Sequence, residues 1–249
     1  MEQPNDLAPD FLVAALRQQA GAFRSAVGEA DLTATVPSCP EWTVQQLVAH
    51  LGKIYDWVRL VLESAGERPG RKEEQPGAGD VREWFDRVFG PLMTAIERIE
   101  PDAPAWNWAG RPAVAAFWPR RMAHETAVHR WDAQLVGGLA EPIETRLAAD
   151  GISEVLDTWL PAGRGTVSNG ALGLVRLSAT DEGGSWLVRL RPQGITLLDE
   201  KTVLEGAAQA QTGVAGTASD LMLALWGRIA PSALAVEGDP ARFEALRTG

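Results

Sequence analysis

The stretch Trp42-Thr-Val-Gln-Gln-Leu-Val-Ala-His-Leu-Gly-Lys-Ile-Tyr-Asp-Trp-Val58 decides how the chain is read. Thr43 favours a helix N-cap, and Gln46 stands three places later, at the partner position of a capping box. Trp42 and Leu47 occupy the two positions of a hydrophobic staple. The apolar repeat Leu47, Leu51, Ile54, Trp57 and Val58 then marks the inner stripe of a helix, and His50 falls within that stripe. A polar ring on an inward face is costly unless it has a partner. The helix therefore raises a question of chemistry as well as packing.

Three more helices surround this one. Residues near Ala8 to Val27 place Phe11, Leu12, Ala15, Leu16, Phe23 and Val27 close to a helical period. Glu67 to Asp80, rich in Gly, Pro and charge, reads as a loop. Val81 to Ile99 carries Trp84, Phe85, Val88 and Met93 on one side, and Pro101 and Pro104 end it. A fourth segment runs from about Pro112 to Val136, where Pro119 implies a kink or a fresh start and Gly137-Gly138 a stop. The set predicts an antiparallel four-helix bundle.

The character then changes. A helix over Glu144 to Leu160 precedes strands at Leu172 to Ala179 and Ser185 to Leu190, separated by the turn Asp181-Glu-Gly-Gly184. A short strand at Ile195 to Leu198, a helix at Thr217 to Arg228, a strand at Ala233 to Glu237 and a closing helix at Pro240 to Leu246 complete a smaller α+β domain. The fold class is therefore α followed by α+β, with domains over residues 1–142 and 143–249.

Composition excludes several functions. Lys and Arg number 23 against 33 Asp and Glu, a net charge of −10. That balance argues against nucleic acid, whose affinity rests on neutralised phosphates, and against an anionic membrane surface. The single cysteine permits neither an internal disulfide nor a Cys-rich zinc module. Met1 to Asp10 lacks the cationic start and apolar run of a signal peptide, and no stretch approaches the roughly 20 apolar residues of a membrane helix. A soluble, cytoplasmic protein is expected, with small molecules as its partners.

The three histidines are His50, His124 and His129. Met122-Ala-His-Glu-Thr-Ala-Val-His129 resembles His-Glu-x-x-His but has one residue too many. Five apart, His124 and His129 are separated by about 140° around a regular helix and cannot share an ion. Glu125 and His129, four apart, share a face with Arg121 and Asp132. His50 from the capped helix is the natural third group, with Asp132 or Arg121 placed to orient the ligands. Two histidines and one carboxylate leave an open position for water or substrate. The plainer alternative is a hydrogen-bonded core histidine beside a helix surface pair, and spacing alone leaves both readings open.

Pro37-Ser-Cys-Pro-Glu-Trp-Thr-Val-Gln-Gln-Leu-Val-Ala-His-Leu51 resembles the N-terminal signature of the mycothiol-dependent maleylpyruvate isomerase family, and Glu125-Thr-Ala-Val-His-Arg-Trp-Asp-Ala133 resembles its second signature. Gly216-Thr-Ala-Ser-Asp-Leu-Met-Leu-Ala-Leu-Trp-Gly-Arg228 and Val236-Glu-Gly-Asp239 are similar to the family's C-terminal domain. The resemblance implies a DinB-like four-helix bundle holding a divalent metal, usually zinc, followed by a sterol-carrier-like α+β domain. It places the metal ligands on His50, Glu125 and His129. It places at Arg228 a catalytic arginine that contacts the thiol cofactor; without the family, Arg228 reads as a cation at a helix C-terminus. His124 receives no role and reads as a neighbour of the site or a surface residue.

An open zinc site deprotonates a bound thiol. The resemblance therefore implies an enzyme using mycothiol as cosubstrate, either an isomerase of the maleylpyruvate type or an S-transferase. The same ligands also suit a hydrolase using metal-activated water, an iron oxygenase or a non-catalytic metal-binding protein. Cys39 precedes His50 by about 16 Å of helix-equivalent length, which favours a structural role for it and an external thiol.

Overall fold

Four long helices build the unit Leu7–Glu141, one of two units into which the chain divides; the other begins at Pro142. The structure is a computed structural model that describes residues 7–70, 72, 74–77, 79–163, 172–181, 183–198 and 210–248. Residues 1–6 of the N-terminal stretch, residues 71, 73 and 78 of the anticipated loop, and Glu182 of the anticipated turn lie outside the described residues.

Helix α1 (Pro9–Glu29) opens with proline in its first turn, where the missing N–H costs nothing. It buries Leu12, Leu16, Ala20, Phe23 and Val27. A short hairpin of β1 (Thr35–Val36) and β2 (Cys39–Thr43) leads into α2 (Val44–Glu63). The capping box forms at that junction: the Gln46 amide donates to Thr43 Oγ1 at 3.3 Å, and the Thr43 amide donates to Gln46 Oε1 at 2.8 Å. Helix α3 spans Val81–Arg98 with Pro91 inside it. Helix α4 runs over Phe117–Val136. It starts five residues later than the hydrophobic pattern indicated. Residues 101–116 instead form an irregular connection, closed by a bridge between Pro104 and Val114 and by Trp118 Nε1 donating to the Trp106 carbonyl at 3.1 Å. Pro119 thus stands in the first turn of α4, where proline is tolerated, and marks a fresh start rather than a kink.

Helix α1 packs against α4, and α2 against α3. Contacts between α1 and α3 run in opposite directions: Arg24 meets Asp86, and Arg17 meets Glu97. Those between α2 and α4 do too, since His50 lies by Glu125 and Trp57 by Trp118. Helices α2 and α3 run in the same direction: Gly52 abuts Trp84, and Tyr55 lies against Phe85 and Phe89. The chain must therefore return along α2 before α3 begins, a distance of about 30 Å for a 20-residue helix. The long connection between them supplies that reach. Buried Asp56 ties it down, accepting the Glu74 amide at 2.6 Å and Arg59 Nη2 at 2.6 Å.

In the second unit α5 (Thr145–Glu154) continues as a π-helical turn over Val155–Trp159. The sheet has the order β5-β4-β3-β6-β7, formed by β3 (Gly173–Ala179), β4 (Ser185–Arg191), β5 (Gly194–Leu198), β6 (Thr212–Gly216) and β7 (Ala235–Gly238). Its one parallel pairing joins β3 to β6; the others are antiparallel. Helix α6 (Ala218–Leu225) packs on α5, and a short α7 (Pro240–Glu244) follows β7. A helical region followed by a sheet-containing domain is thus the observed architecture. Strand β6 escaped the sequence reading because Thr-Gly-Val-Ala-Gly carries two glycines and no β-branched run. No helix among the described residues is long and apolar enough to cross a membrane.

The α2–α3 contact depends on Gly52. A Cβ there would stand 2.3 Å from Cζ3 of the buried Trp84 ring. Gly52→Ala is expected to destabilise the protein by about 1–3 kcal/mol through overpacking, measured as a lower denaturant midpoint. An unchanged midpoint would show that the helices can separate freely.

Candidate metal centre

Two helices converge on one carboxylate. Glu125 and His129 lie one helical turn apart on α4, and His50 projects from the antiparallel α2. His50 Nε2 stands 3.4 Å from Glu125 Oε1, and His129 Nε2 stands 3.3 Å from the same oxygen. The donor atoms of these three residues all lie within 4.8 Å of one another. The structure therefore brings His50, Glu125 and His129 together.

The donor set can be tested against a divalent ion. Imidazole nitrogens and a carboxylate oxygen are the common ligands of zinc. A tetrahedron with metal–ligand bonds of about 2.0–2.1 Å has edges of about 3.3–3.4 Å. The two separations from Glu125 Oε1 match that edge, so the residues present fit the ion.

Around the three lies a set of orienting contacts. The Asp132 carboxylate accepts a hydrogen bond from His129 Nδ1 at 2.9 Å on one oxygen and from Ser38 Oγ at 2.6 Å on the other. A carboxylate only accepts, so Nδ1 carries the hydrogen and Nε2 faces Glu125. Arg121 Nη2 donates to Glu125 Oε2 at 2.7 Å, leaving Oε1 to the histidines. Arg121 and Asp132 therefore both orient site residues, one on Glu125 and the other on His129. Burial opposes ionisation of Glu125, but hydrogen bonds from His129 and His50 and the charge of Arg121 outweigh it and hold the carboxyl well below its ordinary range. Burial likewise opposes the His129 imidazolium, and Asp132 and Glu125 overcome it and raise the imidazole above its ordinary value.

Two participants were not anticipated. Ser38 gave no signal in the sequence, because its bond to Asp132 joins residues 94 apart. Trp42, read as the staple residue, has its indole centroid 4.6 Å from the His50 ring and 6.1 Å from the His129 ring. His124 is fully buried, which corrects the surface reading, and it does not belong to the three-residue cluster.

Arg228 belongs to the second unit. Gly227, with φ of 72°, ends α6 in a Schellman motif: the Gly227 amide donates to the Ala224 carbonyl at 3.0 Å and the Arg228 amide to the Leu223 carbonyl at 2.8 Å. The Arg228 guanidinium donates to the Trp226 carbonyl at 2.8 Å. The structure thus sets Arg228 at a helix C-terminus, apart in the chain from the three converging residues.

Comparison with known proteins bears on both units. Residues 13–134 match a family model described as the mycothiol maleylpyruvate isomerase N-terminal domain, and residues 146–245 match one described as the MDMPI C-terminal domain. No curated protein matches the sequence. Among solved structures, that of a histidine-to-alanine mutant of the mycothiol-dependent maleylpyruvate isomerase superposes with a TM-score of 0.68 and 13% identity, covering 95% of this chain and 96% of that one. The unmutated isomerase superposes at 0.67, with the same identity and coverage. Likeness at this identity shows a shared fold.

In the metal-free protein, an NMR titration is expected to find the His129 midpoint above that of an ordinary histidine. Asp132→Asn removes a negative charge that favours the imidazolium, so the midpoint should fall. A midpoint unmoved by the substitution would mean that Asp132 does not govern this ring.

Proposed function

Because the chain belongs to the mycothiol maleylpyruvate isomerase family, a family of enzymes, we propose that it is a zinc-dependent isomerase that uses mycothiol as a nucleophilic cosubstrate. We assign the metal-binding domain to residues 1–142 and the α+β domain to residues 143–249. The observation that carries the reading is the convergence of His50 and His129 on Glu125 Oε1, within the segment that matches the family's N-terminal domain.

His50, Glu125 and His129 would hold the ion. When bound, it supplies a Lewis-acid position that lowers a thiol's pKa and makes the sulfur nucleophilic at neutral pH. A thiol nucleophile isomerises a conjugated cis double bond by adding to it, permitting rotation and leaving again, so no atoms are gained or lost. Asp132 keeps His129 Nε2 turned toward the ion position, and Arg121 keeps Glu125 from rotating its second oxygen inward. Arg228 is assigned the binding of an anionic group on the substrate or the thiol, a task suited to its planar set of donors. The electrophile is then a small anionic molecule of the maleylpyruvate type.

Elemental analysis of the purified protein is expected to find one zinc per chain, and His50→Ala should lose stoichiometric binding. Full metal content in that variant would overturn the ligand assignment. Isomerisation of maleylpyruvate, followed by absorbance, is expected only when mycothiol is present. Hydrolytic turnover without any thiol would replace this reading with a metal-activated water.

Arg228→Gln should raise KM for the anionic substrate about tenfold or more, the scale of one lost hydrogen bond to a charged group, with metal content unchanged. Wild-type kinetics in this variant would return Arg228 to the role of a helix cap.

A further inference from the structure

His50 and His129 meet Glu125 at nearly equal distances but are held by different means. The His129 side chain is only 5% exposed, and the chain Ser38–Asp132–His129 fixes its ring through Nδ1. The His50 side chain is 36% exposed. Among the described residues, Glu125 is the only carboxylate or carbonyl recorded against its ring. Two aromatic rings pack with it: Trp42 at 4.6 Å with the planes tilted by 52°, and His129 at 5.0 Å in a T-shaped arrangement.

The backbone beside Trp42 is anchored at Thr43. It is the penultimate residue of β2, whose end pairs Thr43 with Thr35 of β1. Thr43 is also the N-cap of α2, locked by the reciprocal bonds with Gln46. Strand pairing and the capping box at Thr43 thus fix the backbone from which the indole projects beside His50. A partly exposed imidazole samples several rotamers unless something occupies the alternatives, and ordering it costs entropy when a ligand binds. An indole packed against the ring occupies the space those alternatives need.

We propose that Trp42 is a positioning residue of the ion site, holding the His50 ring toward Glu125 by aromatic packing, as Asp132 holds His129 by a hydrogen bond. This rests on the reading of His50, Glu125 and His129 as ligands of one divalent ion. The β1–β2 hairpin then serves both imidazoles, His129 through Ser38 and Asp132, and His50 through Trp42. Orienting partners of metal-bound histidines are usually carboxylates or carbonyls; here one of the two is an indole.

The test uses the full chain stripped of metal by a chelator, with zinc as the probe and affinity measured by competition. Trp42→Ala is expected to weaken zinc binding by about 10–100-fold, the range seen when an orienting partner is removed. Trp42→Phe, which keeps an aromatic face, should recover most of that loss. In the metal-free protein, NMR contacts between the His50 ring and the Glu125 side chain should disappear in Trp42→Ala and persist in Trp42→Phe. The signals of His129 should remain, so a general loss of structure would be recognised. Adding Trp42→Ala to His50→Ala should weaken binding no further, whereas adding it to Asp132→Ala should multiply the two losses. Wild-type zinc affinity in Trp42→Ala, with binding lost in His50→Ala, overturns the proposal and leaves the metal site standing. If the wild-type chain itself takes up no zinc, the metal reading fails first and the proposal falls with it.

Discussion

Glu125 puts a negative charge where water scarcely reaches, and a buried carboxylate survives only if its surroundings replace the lost hydration. Arg121 takes one oxygen, and the two imidazoles take the other. Each partner is there because the carboxylate is, and each in turn fixes an element. Arg121 and His129 commit one face of α4 to the interior, and His50 commits the register of α2 against α4. A shift of either helix by one residue would turn these groups about 100° away and leave the charge unpaired. The same contact that makes a cation site thus also fixes the packing of the helices that form it.

Helix α4 shows the cost of this arrangement. Arg121, His124, His129, Arg130 and Asp132 are all buried on it, so it lacks the clean apolar stripe that helices of a bundle normally present. Arg121, His129, Arg130 and Asp132 are instead satisfied by specific partners. Arg130 Nε donates to the Gln19 side chain of α1 at 2.8 Å, and its Nη1 donates to Gln134 at 2.6 Å, while Arg121 and His129 serve the site. Buried networks of this kind specify one arrangement strongly, because a partly satisfied one is worse than an apolar core.

What could be read from the sequence follows from the range over which each signal acts. The capping box at Thr43 and Gln46 is local, and it formed as read. The grouping of Glu125 with His129 follows from helical spacing, and His50 joins them because its ring would otherwise lie unpaired on an inward stripe. Helix α4 begins later than its hydrophobic pattern implies, because Pro112 to Ala116 is apolar enough to extend the pattern while the bridge between Pro104 and Val114 holds that segment in another course. Strand β6 is made by its neighbours β3 and β7 rather than by its own residues. Ser38 and the contact of Trp42 with His50 depend on how the hairpin folds against α4, and no pattern within a window of 18 residues records that.

The hairpin also bears on where a reactive thiol would come from. Trp42 of β2 packs against the imidazoles, whereas Cys39 at the start of the same strand does not belong to the group of donor atoms formed by His50, Glu125 and His129. Cys39 is the only cysteine in the chain. The thiol chemistry proposed for this site accordingly draws its sulfur from a small molecule rather than from Cys39.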